Sequence, residues 1–323
     1  MAAFLARRIA QGLIVVALVA TIVFFLIHAA PGDAFSASMD DPSISEAVRE
    51  QWRRMYGLDR PVAEQFARYV MSVFRGDLGY STSYYRPVSH VLLDALPNTL
   101  LLMTTGLVGG FALGIGTALA QVRNAGRRID KVLGGLSLLF FSVPDFWLAL
   151  LILVGVTSWL NLPAGAAFNP VEYDYMGTLE KIADRLSHLV LPALTLTLLY
   201  FPIIARHQKA ALLDVLPSEF ITTARAKGVA ERAVINRHAL RNALLPIITL
   251  IGVAFPALLT GAVFVEKVFG WPGMGLVIIN SIRADDPQLL TGAMIFGSAF
   301  VVVGSILADV LYRHFDPRLR DEF

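Results

Sequence analysis

The sequence predicts an all-α polytopic membrane protein with six transmembrane helices and both termini on the inner side (N-in/C-in). Three observations predict it. The chain is 56% hydrophobic and only 16% charged, against roughly 25% charged in a soluble domain. Its apolar residues fall in blocks near the length of about 17–25 residues that a helix needs to cross the hydrocarbon. Lys and Arg also crowd alternate connections: sixteen lie on the inner segments, against Lys181, Arg185, Lys267 and Arg283 in the two short outer loops. That asymmetry sets the orientation. The first outer segment adds seven more, but it exceeds the length of about 60 residues over which the bias counts. There is no cysteine, which excludes disulfides and thiolate metal sites.

The six blocks are Ile9–Ala30, Leu96–Val122, Val132–Leu160, Leu189–Ala205, Asn242–Val265 and Leu289–Tyr312. They divide the chain into residues 1–30 (inner N-terminus and span one), an extracytoplasmic helical segment 31–95, a core of five spans 96–312 that includes the inner loop 206–241, and an inner tail 313–323. Ile9–Ala30 carries no Asp, Glu, Lys or Arg and is longer than a signal-peptide core of about 7–15 residues, so it is expected to be a retained span. In the outer segment, Ser43 and Glu46 form a capping-box pattern, followed by Ile44, Val48, Trp52 and Met55 at helical spacing. A second amphipathic helix is expected from Pro61, with Val62, Phe66, Tyr69, Val70 and Val73 on one face and Gly76 ending it.

Span two carries Gly106, Gly110 and Gly114 at four-residue spacing, a pattern that lets helices approach closely. Span three contains Ser142-Val-Pro-Asp-Phe-Trp147, so Asp145 falls near its middle, beside the break that Pro144 introduces. Two readings of Asp145 stand: a structural acid at a helix break, or a pathway-lining group that meets a cationic part of the cargo. Span four is the weakest, with Pro192 and Pro202 inside it. The outer loop before it carries no recognisable chemistry. The loop Glu266 to Gly275 is dense in Gly and Pro, yet holds Phe269, Trp271 and Met274. Interfacial aromatic anchoring accounts for these; an element lining the mouth of a pathway, with Glu266, Phe269, Trp271 and Pro272 as gate or partner contacts, is the alternative.

The stretch Pro217–Pro246 is charged and lies between two spans. Ser218 suits an N-cap and Glu219 the first turn, Arg225 and Lys227 suit the last turn, and Gly228 is a natural stop. A short capped helix outside the membrane fits a groove in another protein. A second basic helix, Ala230–Asn242, leads back to the bilayer.

TARAKG followed by RHALRNALLP resembles the inner loop of binding-protein-dependent ABC importer permeases of the dipeptide/oligopeptide/nickel group. The resemblance covers nearly the whole chain. It includes Pro31-Gly-Asp33, Gly57-Leu-Asp-Arg-Pro61, Gly76-Asp-Leu-Gly79, Arg86-Pro-Val88, Gly261 to Glu266, Phe269 to Gly275, and Asp309 to Arg318. It implies the type I ABC importer permease fold and, for this chain, the role of the first of two permease subunits. The loop corresponds to the coupling helix that docks on the ATPase, with Glu219, Phe220, Thr222, Thr223, Ala224 and Gly228 as contact residues. Thr222, Thr223, Ala224 and Gly228 occupy the motif's E, A, A and G positions. Thr222 is not acidic, so apolar contact through Phe220 and Ala224 replaces a salt bridge in this expectation. Two further departures are Ser305, where the family often has Asn, and Asp145, where a small residue is usual.

The resemblance implies as partners a second permease subunit, two ABC ATPase subunits (or one fused), an extracytoplasmic solute-binding protein, membrane lipid and a peptide substrate, with no nucleic acid. It places the chain in the bacterial cytoplasmic membrane as a multi-pass protein. The sequence holds no phosphate-binding loop, no His-Glu-x-x-His helix and no nucleophile elbow. The chain is therefore expected to be no enzyme and to bind no cofactor, with ATP and Mg held by the partner ATPases. Nickel chelates, glutathione or another small solute are alternative cargoes. An ion-coupled secondary transporter would call for several intramembrane carboxylates or His residues; the chain offers mainly Asp145.

Overall fold

The computed structural model describes residues 2–29, 60–160, 163, 165–244, 247, 250 and 262–315. Helix α1 (Ala2–Ala29) is followed by α2 (Val62–Phe74), the strands β1 (Tyr80–Ser81) and β2 (Arg86–Pro87), α3 (Val88–Arg123), α4 (Arg128–Ser142) and α5 (Asp145–Leu160). Then come α6 (Thr178–Val215), α7 (Glu219–Ala226), α8 (Glu231–Ala233), a π-helical turn Val234–Ala239, α9 (Leu240–Ala243), α10 (Val263–Val268), α11 (Met274–Arg283) and α12 (Pro287–Phe315). Among the described residues, four helices are long and apolar enough to cross a membrane, or five if α4 and α5 are one broken span. The expected helix after Ser43 and most of the expected fifth span, Asn242–Val265, lie outside the described residues.

Span two lies within α3, 36 residues long, and span four within α6, 38 residues long. At 1.5 Å per residue these run about 54 and 57 Å, well past the hydrocarbon core of about 30 Å. The expected seventeen-residue span four is thus the middle of a much longer helix; both of its prolines are buried. The glycine stripe is where α3 and α6 meet. A Cβ on Gly110 would stand 2.8 Å from that of Tyr200, and one on Gly114 2.7 Å from that of Ile204, with Gly106 against Leu196. Close approach is what those positions require.

The expected third span is sharply bent: α4 and α5 meet at 107°. Pro144 has no N–H to donate, and its ring excludes the carbonyl four residues back. Val143 before it is extended, at φ −81 and ψ 128, as a residue preceding proline prefers. The helix restarts when Leu148 N donates to Pro144 O at 3.0 Å.

Helix α1 packs on α12, with Gly12 against Val302 and Arg8 Nε 3.0 Å from Asp309 Oδ2. Its C-terminal end holds α2 through Phe24, Phe25, Phe66 and Tyr69, so Phe66 and Tyr69 of the expected amphipathic face pack on α1. The all-helical expectation missed the antiparallel ribbon β1–β2, in which Tyr80 pairs with Pro87. Asp286, buried at the start of α12, fixes this hairpin. Its Oδ2 accepts from Ser81 Oγ (2.6 Å), Ser83 Oγ (2.8 Å) and Ser83 N (3.0 Å). Its Oδ1 caps α12 by accepting from Leu289 N at 3.0 Å, with Pro287 at the first helical position. Burial alone pushes this carboxyl up, but the donors Ser81, Ser83 and Leu289 outweigh it and hold it below its ordinary range.

Candidate functional site

Two sites sit at opposite ends of the α3–α6 pair. At the end that the Lys and Arg count assigns to the inside, α7 presents two faces. Ile221 and Ala224, three residues apart, share one face and are buried at 0% and 7% exposure. They pack with Ala118 and Val122 of α3, Ala211 and Leu212 of α6, and Val234 and Ile235 of the π-helical turn. Glu219, Phe220, Thr222 and Thr223 face outward, Phe220 at 45% exposure. The pairing of Phe220 with Ala224 as one contact surface is therefore corrected: Ala224 turns into the chain's own bundle. The buried anchor Ile221 was missed, although its three-residue spacing from Ala224 signals a shared face.

Ser218 is the N-cap of α7, as expected, but its side chain does not cap. Ser218 Oγ donates to Val215 O at 2.6 Å, because α6 ends just before it and leaves carbonyls unpaired. The Ser218 carbonyl itself accepts from Ile221 N and Thr222 N, both at 3.1 Å. At the other end Gly228, exposed, adopts φ +78. Its N–H donates to Arg225 O at 2.9 Å and Val229 N to Ala224 O at 3.2 Å, the paired bonds of a Schellman stop. Val229 also packs against the same cluster as Ala224. Arg225 grips Glu231 through Nε at 3.0 Å and Nη2 at 2.7 Å, tying α7 to α8.

The helices that receive α7 are themselves tied. Asp130, at the start of α4, accepts from Lys209 Nζ of α6 at 2.6 Å, from Gly126 N at 3.1 Å and from Gln121 Nε2 of α3 at 3.3 Å. The Lys209 ammonium first, and then the Gly126 amide, hold this carboxyl below the usual carboxylate range. Gln208 Nε2 donates to Ala243 O at 3.1 Å, so the segment after α7 is fastened to α6 as well.

At the opposite end, α10 and α11 fold into a knot around Glu266. Its side chain is 0% exposed. Oε1 accepts from Thr99 Oγ1 of α3 at 2.9 Å and Oε2 from Leu276 N at 3.1 Å; Thr99 Oγ1 in turn accepts from Met274 N at 2.7 Å. Glu266 thus supplies a carboxylate to the amide end of α11, where the helix dipole favours an anion. Gly273 is needed at this approach, since a Cβ there would stand 2.5 Å from the carboxyl group. Burial pushes the Glu266 carboxyl up, against the pull of Thr99 and of the Leu276 and Gly275 amides.

Trp271 and Phe269 are buried with Leu189 and Leu191 of α6 and Ala167 of the preceding outer loop. Trp271 Nε1 donates to Asn98 O at 2.9 Å, Asn98 Nδ2 to Pro272 O at 3.0 Å and Arg185 Nη2 to Asn98 Oδ1 at 2.9 Å. These aromatics are therefore not anchored in lipid: they lock the loop to α3 and α6. Pro272 is half-buried at its edge. Asn98, Thr99 and Arg185 carried no local sequence signal.

The remaining sequence candidate, Asp145, lies apart from both sites. It is exposed at the first turn of α5, immediately after the break.

Comparison with known proteins agrees with the architecture. Over its full length the chain is 34% identical to the oligopeptide transport system permease protein AppB of Bacillus subtilis (strain 168), with 99% of each chain covered. It is 35% identical to the oligopeptide transport system permease protein OppB of Mycobacterium bovis, again over 99% of each. It is 36% identical to the probable D,D-dipeptide transport system permease protein DdpB of Escherichia coli (strain K12), over 97% of this chain and 96% of that one. Residues 1–103 match the family described as binding-protein-dependent transport system membrane component, N-terminal. Residues 110–321 match the binding-protein-dependent transport system inner membrane component. With its apolar spans and its tethered inner helix, the chain belongs to the family of inner membrane permease components of binding-protein-dependent transport systems.

Proposed function

We propose that this permease forms, with a second permease subunit, the pathway by which an ATP-binding-cassette importer takes up oligopeptides or dipeptides. An extracytoplasmic solute-binding protein delivers the cargo, and ATP hydrolysis with Mg in two partner ATPases drives uptake. The topology is six spans with both ends inside, in the type I importer arrangement. The observation that carries the reading is α7: a short helix packed on the π-helical turn, with Ile221 and Ala224 buried in one apolar cluster with residues of both long helices and Glu219, Phe220, Thr222 and Thr223 turned outward. ATPase closure that moves this helix moves the inner ends of α3 and α6 with it. Peptide cargo is supported by the oligopeptide and dipeptide transport systems that the full-length relatives are named for.

The test is ATP-dependent peptide uptake into vesicles holding all subunits. Gly228→Asp places a Cβ in the left-handed region and a negative charge at the end of a helix whose dipole disfavours it. Uptake is expected to fall about tenfold or more, by loss of on the order of 1–2 kcal/mol at the stop and of fit to the ATPase. Uptake at wild-type rate would remove α7 from the coupling role.

Asp145 supports a further element of this reading. Its carboxylate is exposed and has no ion pair or hydrogen bond among the described residues. An uncompensated acid at this depth suits a water-filled pathway and a cationic peptide N-terminus. Asp145→Asn is expected to abolish any preference for peptides with free over acetylated N-termini, read from competitive uptake. An unchanged preference would make Asp145 structural.

A further inference from the structure

We propose that the outer hairpin Tyr80–Pro87 is a docking surface for the solute-binding protein, with Tyr84 and Tyr85 as its contact residues. The inference rests on the transport reading above and adds to it the place where the delivery protein seats. The residues of the Glu266 knot are closed off, with Glu266, Phe269 and Trp271 buried, so the knot offers little surface to a partner. The hairpin is the reverse. Tyr80, Tyr84 and Tyr85 are 49%, 38% and 81% exposed, while the base beneath them is buried and held by Asp286.

The hairpin is also rigid. Tyr84 N donates to Ser81 Oγ at 3.1 Å, Tyr80 N to Gln288 Oε1 at 3.0 Å, and the Tyr80 hydroxyl to Tyr85 O. Tyr85 is held in the left-handed region at φ 53, where a bulky residue is seldom found. A preorganised pair of tyrosines gives up little conformational freedom on binding. Tyrosine is enriched among residues whose truncation costs most at interfaces, and its polar tip suits a surface that is bare whenever the partner has left.

A bilayer occupant fits less well. Asp94 lies six residues further along α3 toward the membrane, exposed and paired with Arg86 at 2.6 Å. Hydrocarbon begins no higher than that exposed ion pair, and its Arg86 belongs to the hairpin itself. The pair marks this end of α3 as watered, on the side from which a soluble carrier arrives.

The hairpin is also coupled to the spans. Asp286 holds it and caps α12 with the same carboxylate, and Val88 at the hairpin's end packs with Leu289. A partner seated on the tyrosines therefore bears directly on the outer ends of α3 and α12.

The experiment uses the complete complex in nanodiscs, with purified solute-binding protein titrated against ATP hydrolysis. The variant is Tyr84→Ser with Tyr85→Asn, since asparagine tolerates the left-handed conformation. The binding-protein concentration for half-maximal stimulation is expected to rise roughly tenfold or more, with basal hydrolysis and the saturated rate unchanged. An unchanged half-maximal concentration overturns the docking surface. A changed response to lipid composition with unchanged binding-protein dependence assigns the tyrosines to the membrane and overturns it equally. If the wild-type complex shows no stimulation by any binding protein, the transport reading itself fails. Should the double variant not assemble, a photo-crosslinking phenylalanine at position 85 replaces it: a crosslink to the purified binding protein is expected, and its absence overturns the proposal.

Discussion

Replacing Ile221 with aspartate is expected to uncouple the permease, lowering ATP-dependent uptake by about 100-fold while the complex still assembles. Helix α7 has eight residues, below the length of roughly 12–15 at which a helix holds in water alone, so its docked face keeps it formed. Ile221 is fully buried among Leu212, Val234 and Val122. A carboxylate there has no partner and costs several kcal/mol, of the order of 3–5. Undocking α7 is cheaper than that, so the helix is expected to leave its seat and no longer move α3 and α6. Trypsin sensitivity at Lys227 reads the release directly. Ile221→Val removes one methylene, costs about 0.5–1.5 kcal/mol, and is expected to transport at near wild-type rate. Uptake by the aspartate variant within twofold of wild type would overturn this account of the anchor.

Glu266→Ala carries the second large effect, at the other end of the same helices. It leaves the Leu276 amide and the Thr99 hydroxyl buried without acceptors, at about 1–3 kcal/mol each, and opens a cavity against Gly273. A loss of about 3–5 kcal/mol is expected, seen as a lower melting midpoint of the detergent-solubilised protein and as loss of uptake. Glu266→Gln keeps one acceptor and is expected to cost about 1–2 kcal/mol. The pH profile separates the two contributions. A folded-state carboxyl raised above the unfolded glutamate value of about 4.3 gives stability that is full below that value. It is lost as pH rises through the folded one. The glutamine variant is expected to lack this loss. Equal melting midpoints for wild type and Glu266→Ala would mean that α11 needs no carboxylate cap.

Local pattern carried much of this fold. The apolar blocks located the long helices, the glycine spacing in α3 marked its seam with α6, and the sequence from Glu219 to Gly228 gave α7 nearly to the residue. Each of these is decided within about one turn or one block of chain. The knot and the hairpin are decided across the chain: Thr99 meets Glu266 at a separation of 167 residues, and Ser81 meets Asp286 at 205. No periodicity encodes such a pairing, although Asp286-Pro287 has the form of a helix start. The orientation of α7 was half legible. Its outward polar residues stood out, but which of its apolar residues were owed to the bundle depended on what α3 and α6 presented. For the same reason the Ser218 hydroxyl turned to a carbonyl of the preceding helix, while its own carbonyl still starts α7.

The length of α6 has a mechanical consequence. It is one continuous helix of about 57 Å, with one half holding Arg185 against Asn98 of α3 and the other half holding Lys209, Gln208 and Leu212 against Asp130, Ala243 and the apolar seat of α7. Tilted by about 10° about its midpoint, such a rod carries its two ends about 5 Å in opposite directions. The close seam with the glycines of α3 sits near that midpoint, where a fulcrum works best. On the transport reading proposed above, leverage of this kind links the two ends of the permease without any change in the helix itself.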